Sequence, residues 1–231
     1  MSNNSLLRRL ENEELIISGR LIDASNATLF GHLKDDESLK IIYKPVAGER
    51  PLWDFPDGSL AAREFAAYLF SEIFDFHLVP ETVLREGPFG FGMVQRWIED
   101  AQPENLIEIA QAATDEIRRM IFFDSLINNA DRKYGHILIG PDRKILGCDH
   151  GITFHSEDKL RTVLWQFSGD HLTESEIKCL NNVIAYKYEE FNELLSKDEI
   201  EAIVLRAKKM LNDGRLPAPA IDRPAIPWPP V

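Results

Sequence analysis

Asn128-Asn129-Ala130-Asp131-Arg132-Lys133-Tyr134-Gly135-His136, followed a short way on by Asp149-His150-Gly151, is the stretch whose reading decides the fold. Between the two lie Ile137-Leu138-Ile139 and Ile145-Leu146, short apolar strand segments joined by the turn sequence Gly140-Pro141-Asp142-Arg143-Lys144. A hairpin brings its own ends together, so Asp131 and Asp149 are expected to be neighbours. Phosphoryl transfer asks a protein mainly for positioning and charge neutralisation: one carboxylate to orient or deprotonate the attacking hydroxyl, another to hold magnesium against nucleotide phosphates. Asp131 suits the first role and Asp149 the second.

On these residues the chain resembles the phosphoinositide 3- and 4-kinase-like branch of the protein-kinase-like superfamily, and within it a set of small bacterial proteins. In that superfamily a catalytic-loop Asp is followed two positions later by Lys or His, five positions later by a metal-binding Asn, and further on by Asp-x-Gly. Lys133 and Asp149-His150-Gly151 match this pattern, and His136 stands where the Asn is expected. Imidazole is a poor ligand for hard magnesium, so His136 is the point of departure in the metal site.

The resemblance implies a strand lysine and a helix glutamate that together hold the nucleotide phosphates. Lys44 ends the apolar run Leu39 to Lys44, a strand by its β-branched content. Ser59 to Phe76 reads as a helix with Ser59 at its N-cap and Leu60, Phe65, Leu69, Phe70 and Ile73 at helical spacing. Glu64 lies one turn in and is the implied partner of Lys44. Leu15 to Ile22 and Thr28 to Leu33 read as strands flanking Asp23-Ala24-Ser25-Asn26-Ala27, where Ser25 and Asn26 take the place of a glycine-rich phosphate loop. Phe91 to Ile98 is a strand entering the hinge, which puts Gln95 and Trp97 at the adenine position.

The implied architecture is α+β with two lobes. An N-terminal extension spans 1–14, a strand-rich lobe with hinge 15–99, a helical lobe 100–213 and a proline-rich tail 214–231, which holds six of the 13 prolines. Helices are expected at Glu104 to Ala113, Thr114 to Ile127, Thr173 to Leu195 with a break, and Lys197 to Leu211. Thr114 followed by Asp115 and Glu116 places a cap and two carboxylates at a positive helix end. The tail is expected to be extended and ordered by docking on the domain.

Composition sets bounds. The 231 residues, 44% hydrophobic and 28% charged, suffice for one two-lobed domain. A net charge of −12 disfavours broad binding to nucleic acid or anionic lipid. No segment reaches the roughly 20 apolar residues of a membrane span. With two cysteines and no signal-peptide core in residues 1–14, a reducing cytoplasm is the expected home. Cys148 reads as a small buried hydrophobe, and Trp53, Trp97 and Trp165 read as core or hinge packing. Asp124 falls on the apolar stripe of its helix, where a charge needs a partner, and Arg132 is the expected one. Asn128 and Asn129 are read as capping the helix end and shaping the loop.

ATP and Mg2+ are the implied cofactors. The segment after Asp149 offers only Lys159 and Arg161 as cations, fewer than an inositol phosphate headgroup usually demands. A protein hydroxyl or small alcohol therefore stands beside a lipid as acceptor. Two other readings stay open: a nucleotide-binding pseudokinase, motivated by His136, and transfer of AMP from a nucleotide bound in reverse.

Overall fold

The computed structural model describes residues 3–21, 26–99, 103–140 and 143–231. Its first half is an antiparallel sheet in the order β1-β2-β3-β5-β4. The strands are β1 Leu15–Arg20, β2 Leu29–Leu33, β3 Asp36–Pro45, β4 Thr82–Gly87 and β5 Gly90–Arg96. Side chains alternate across a pleated strand, and β3 uses both faces. Ile41 and Tyr43 join Leu15, Leu33, Val83 and Val94 in a small core closed by Leu10 of helix α1, Asn3–Asn12. Lys44 therefore points to the other face, towards helix α2, Leu60–Ile73, and the second lobe.

Helix α2 carries the main core across the lobe boundary. Phe70 is fully buried and meets the rings of Phe123, Phe154 and Phe191. The second lobe comprises α3 Leu106–Gln111, α4 Asp115–Ile127, the hairpin β6 Ile137–Ile139 with β7 Ile145–Gly147, α5 Glu174–Ala185 and α6 Lys197–Asp213. The Thr114 side chain accepts from the Ile117 amide as expected. Thr173 and Ser196 each complete a reciprocal capping box with Glu176 and Glu199. The helical stretch expected over 173–195 does break, ending at Ala185.

Two local expectations are corrected, and a third falls on residues the structure does not describe. Ser59 stands at the α2 N-cap but makes no capping bond; the Glu49 carboxylate takes the Leu60 and Ala61 amides instead, at 3.1 and 2.8 Å. A carboxylate reaching in from the preceding loop also favours the positive helix end more than a hydroxyl would. Trp53 is 93% exposed, its ring covered only by the Lys159 ammonium, so it packs neither core nor hinge. Pro141, Asp142 and Ile22 to Ser25 lie outside the described residues, and with them part of the hairpin turn and part of the expected phosphate loop.

The tail crosses the second lobe through specific bonds. The Thr162 amide and the Trp165 indole both donate to the Ala225 carbonyl, at 3.0 and 2.9 Å, and the Tyr134 amide donates to the Pro230 carbonyl at 2.9 Å. Arg223 pairs with Asp158 at 2.9 Å. Among the described residues no helix is long and apolar enough to cross a membrane.

Candidate functional site

Lys44, Glu64 and Asp149 meet in the cleft between the lobes. The Lys44 ammonium lies 2.6 Å from Glu64 Oε1 and 2.7 Å from Asp149 Oδ1. The other Glu64 oxygen accepts the His150 amide at 2.8 Å, so one helix carboxylate holds both the strand lysine and the backbone beside Asp149. Burial alone would lower the Lys44 ammonium, but Asp149 and Glu64 outweigh it and hold it above the usual lysine range. Lys44 in turn holds the Asp149 carboxyl well below the usual carboxylate range. Burial pushes the Glu64 carboxyl up, and Lys44 offsets this only in part.

The loop carrying Asp131 is built by the end of α4. Asn128 takes the left-handed conformation, φ 54°, and its amide group donates to the His155 and Glu157 carbonyls. Asn129 donates to Asp124 at 2.9 Å and accepts the Asp131 amide at 3.0 Å. Arg132 is fully buried: its Nε and Nη2 each lie 2.8 Å from an Asp124 oxygen, and its Nη1 donates to the His136 and Cys148 carbonyls. Arg132 Nη2 also meets His150 Nε2 at 2.7 Å. This side chain thus ties the Asp131 loop to the Asp149 loop. A Cβ on Gly147 would stand 3.0 Å from its guanidinium, so any side chain there would press on this junction. His150 is held neutral, well below the ordinary histidine value, by burial and then by the Arg132 charge. Burial pushes the Cys148 thiol up to about 12, so Cys148 behaves as an inert small side chain.

Asp131 lines the cleft, with Lys133 and His136 beside it. Lys133 Nζ is 3.3 Å from Asp131 Oδ2. His136 Nδ1 is 2.8 Å from the Asp131 carbonyl and its Nε2 is 3.3 Å from Asp149 Oδ2. Burial raises the Asp131 carboxyl above its usual range, while His136 and Lys133 pull it back. A raised carboxyl pKa suits a group that takes a proton from an acceptor hydroxyl.

The structure brings Asn26, Lys44, Glu64, Asp131 and Asp149 to one cleft, with Glu49 and Gly151 on its wall. Asn26 is held by accepting the Arg50 amide at 2.9 Å. Gln95 pairs across the sheet with Ile42 and so shares the Lys44 face, its amide donating to Thr82 at 2.8 Å. Trp97 is partly exposed and packs edge-on against Phe30. Ser25 is outside the described residues. Sequence reasoning missed Glu49 and His150. Glu49 carried no signal, since capping from outside the helix follows no fixed spacing. His150 could have been found as the residue between Asp149 and Gly151, where the backbone turns: Asp149 has φ 59°.

A strand-rich lobe and a helical lobe, closed on a lysine, a helix glutamate and two loop aspartates, define a protein-kinase-like fold. The chain is similar to the Golgi casein kinase crystallised with Mn/ADP bound, with 14% identity and a TM-score of 0.62 over 91% of this chain and 75% of that one. It is likewise similar to hydra Fam20 crystallised with sugar, with 11% identity and a TM-score of 0.59 over 91% of this chain and 87% of that one. No family profile matches the chain. It belongs to the family of Protein Rv2133c of Mycobacterium tuberculosis (strain ATCC 25618 / H37Rv), to which it is 40% identical over 260 aligned positions covering 95% of this chain and 93% of that protein.

Proposed function

We propose that this chain is an ATP-dependent phosphotransferase that moves the γ-phosphoryl group to a hydroxyl acceptor. The observation that carries the reading is the Lys44 ammonium clamped between Glu64 and Asp149, a buried charge cluster whose lysine and exposed-side aspartate face an open cleft. The site residues fit a nucleotide and a divalent cation: Asp149 offers an oxygen free of Lys44, and His136 stands beside that oxygen. When bound, the cation supplies charge neutralisation along the phosphates.

In this reading Lys44 and Glu64 position the nucleotide phosphates, and the loop of Ser25 and Asn26 closes over them. Gln95 and Trp97 form the adenine wall. Asp131 accepts the hydroxyl proton as the oxygen forms its bond to the γ-phosphorus and the bond to ADP breaks. Lys133, beside Asp131, offsets the charge on the moving group. The units we assign are a first lobe at 15–99 and a second at 100–213, with the extension 1–14 and the tail 214–231 packed on them. The Asp131-Arg132-Lys133 loop supports placement with the phosphoinositide 3- and 4-kinase-like branch, with Mg2+ as the cation accompanying ATP. Manganese with ADP in the Golgi casein kinase structure supports a nucleotide–divalent site of this general kind.

A soluble acceptor is favoured over a phosphorylated lipid. Of the two cations in the segment after Asp149, Lys159 is committed to Asp54 at 2.8 Å, and Arg161 donates its Nε to the Ala130 carbonyl at 2.9 Å. That leaves at most one guanidinium edge, fewer cations than an anionic headgroup usually demands.

The test is thermal stability with ATP, Mg2+ and both, for the intact chain and Asp149→Ala. A ligand present at 100 times its dissociation constant adds about 2.7 kcal/mol to the native state. A metal-dependent shift that disappears in the variant supports the reading, and no shift in either protein sinks it in favour of a scaffold. ATP labelled at the α- or γ-phosphate then separates phosphoryl from AMP transfer.

A further inference from the structure

His136 carries the hydrogen-bond pattern of a metal ligand. A backbone carbonyl oxygen can only accept, so the nitrogen 2.8 Å from the Asp131 carbonyl, Nδ1, is the protonated one. Imidazoles that bind metals through one nitrogen commonly donate the other N–H to a carbonyl or carboxylate, which fixes the ring and its tautomer. The ring is fixed from behind as well: its own carbonyl accepts from Arg132 Nη1 at 3.0 Å, and the Cys148 amide donates to the same oxygen at 3.0 Å. The side chain is 14% exposed, and the nitrogen left over, Nε2, faces Asp149 Oδ2 at 3.3 Å.

In this tautomer Nε2 and Oδ2 are both acceptors, 3.3 Å apart with no proton between them, a pairing that a shared cation would relieve. Two ligand atoms at right angles and about 2.2 Å from one cation stand about 3.1 Å apart, close to the separation found. The charges facing this point are the Asp149 and Asp131 carboxylates with Lys133 and Lys44 behind them. Lys44 bonds the other Asp149 oxygen and Lys133 bonds Asp131. Oδ2 is therefore the Asp149 oxygen that Lys44 leaves open.

We propose that His136 Nε2 and Asp149 Oδ2 together hold a first-row transition-metal divalent cation, of the manganese or cobalt class, in preference to magnesium. The inference rests on the phosphotransferase reading of the cleft and adds the metal class that the position between His136 and Asp149 selects, apart from the Mg2+ that accompanies ATP. The preference follows from ligand type: magnesium demands oxygen donors and gives up water reluctantly, whereas first-row transition cations also take imidazole nitrogen, manganese the most weakly and cobalt more strongly. Asn at this position would offer an oxygen and no such preference.

The experiment is pulsed electron paramagnetic resonance of Mn2+ bound to the full chain with ADP, in excess Mg2+, for the intact protein and His136→Asn. The expected result is a nitrogen-14 coupling in the intact protein that vanishes in the variant. Displacing Mn2+ should need at least about tenfold more Mg2+ in the intact protein than in the variant, the low end of what losing even a ligand's hydrogen-bonding partner costs. Mn2+ bound with ADP but without nitrogen coupling in the intact protein overturns the metal assignment and leaves the nucleotide reading standing. So does a coupling that survives in His136→Asn, since another histidine would then be the ligand. Calorimetry of ADP, with and without Mn2+, separates the levels: no ADP binding in either condition overturns the phosphotransferase reading and this inference with it.

Discussion

Arg132 and Asp124 form a two-pronged ion pair in which neither side chain has any solvent exposure. The pair joins α4 to the loop that carries Asp131, and through the His136 and Cys148 carbonyls to the loop that carries Asp149. Removing one partner of such a pair leaves an uncompensated buried charge. Asp124→Ala should therefore lower stability by about 3 to 5 kcal/mol in urea titrations. The double variant Asp124→Leu with Arg132→Met should recover much of that stability, because apolar replacements of a buried pair are often tolerated. It should not recover turnover, since the loop carbonyls lose the donor that positions them. Full activity in the double variant would show that Arg132 has no positioning role.

Lys44 neutralises two carboxylates at once. Lys44→Met leaves Glu64, whose side chain is only 2% exposed, facing Asp149 without a cation. The expected loss at neutral pH is about 3 kcal/mol. The pH dependence has a definite sign. The depressed folded pKa of Asp149 contributes stability above the ordinary carboxylate range, and this is lost as pH falls through the depressed folded value. Burial raises Glu64, which therefore takes a proton first on acidification, and more readily once Lys44 is gone. The gap between intact protein and variant should narrow from pH 7 downward, and a constant gap in urea titrations across that range would contradict the assignment.

Asp131 is 22% exposed at its side chain and held above the usual carboxylate range by burial, with His136 and Lys133 opposing. Activity requiring ionised Asp131 should fall on the acid side at a pH above that of an ordinary aspartate. Lys133→Met removes one of the opposing charges, so the acid limb of kcat/KM should move to higher pH as well as losing amplitude. Asp131→Asn should abolish turnover and leave nucleotide affinity within a few fold. It should cost little stability at neutral pH, because it removes the penalty of ionising a buried carboxyl.

The hairpin ends were legible because Pro141 and the flanking isoleucines punctuate a short stretch that has no room for another arrangement. Lys44 and Glu64 were legible through the resemblance, which implies a strand lysine paired with a helix glutamate; periodicity placed only the strand and the helix that carry them. Two elements were not. Helix α1 is polar apart from Leu6, Leu7 and Leu10, and only the sheet it covers makes that narrow stripe a core face. Strand β4 lies at the sheet edge and carries Arg85 and Glu86 where a central strand would be apolar; its pairing with β5 is what makes it a strand. The polar face of a helix is solvated in most proteins, yet Arg63 and Glu64 are both 1% exposed. Their partners, Glu199 and the Thr153 carbonyl for Arg63 and Lys44 for Glu64, come from distant parts of the chain that no local pattern connects.

The tail holds the Asp131 loop from outside. Its Pro230 carbonyl holds the Tyr134 amide, within the loop between Asp131 and His136, and its Ala225 carbonyl holds Thr162, whose backbone bridges to Arg132. Ending the chain at Leu216 removes three hydrogen bonds and the Arg223–Asp158 pair, while keeping the buried Leu216 side chain. The expected cost is about 2 kcal/mol, at the usual net worth of such bonds. The more telling readout is local: amide exchange at Tyr134 and Thr162 should accelerate strongly, while amides in the centre of α4 change only by the global loss. Trp228 is 89% exposed, so Trp228→Ala should shift stability by no more than about 0.5 kcal/mol and leave both amides protected. Unchanged exchange at Tyr134 in the shortened chain would mean that Asp131 and His136 keep their geometry without the tail.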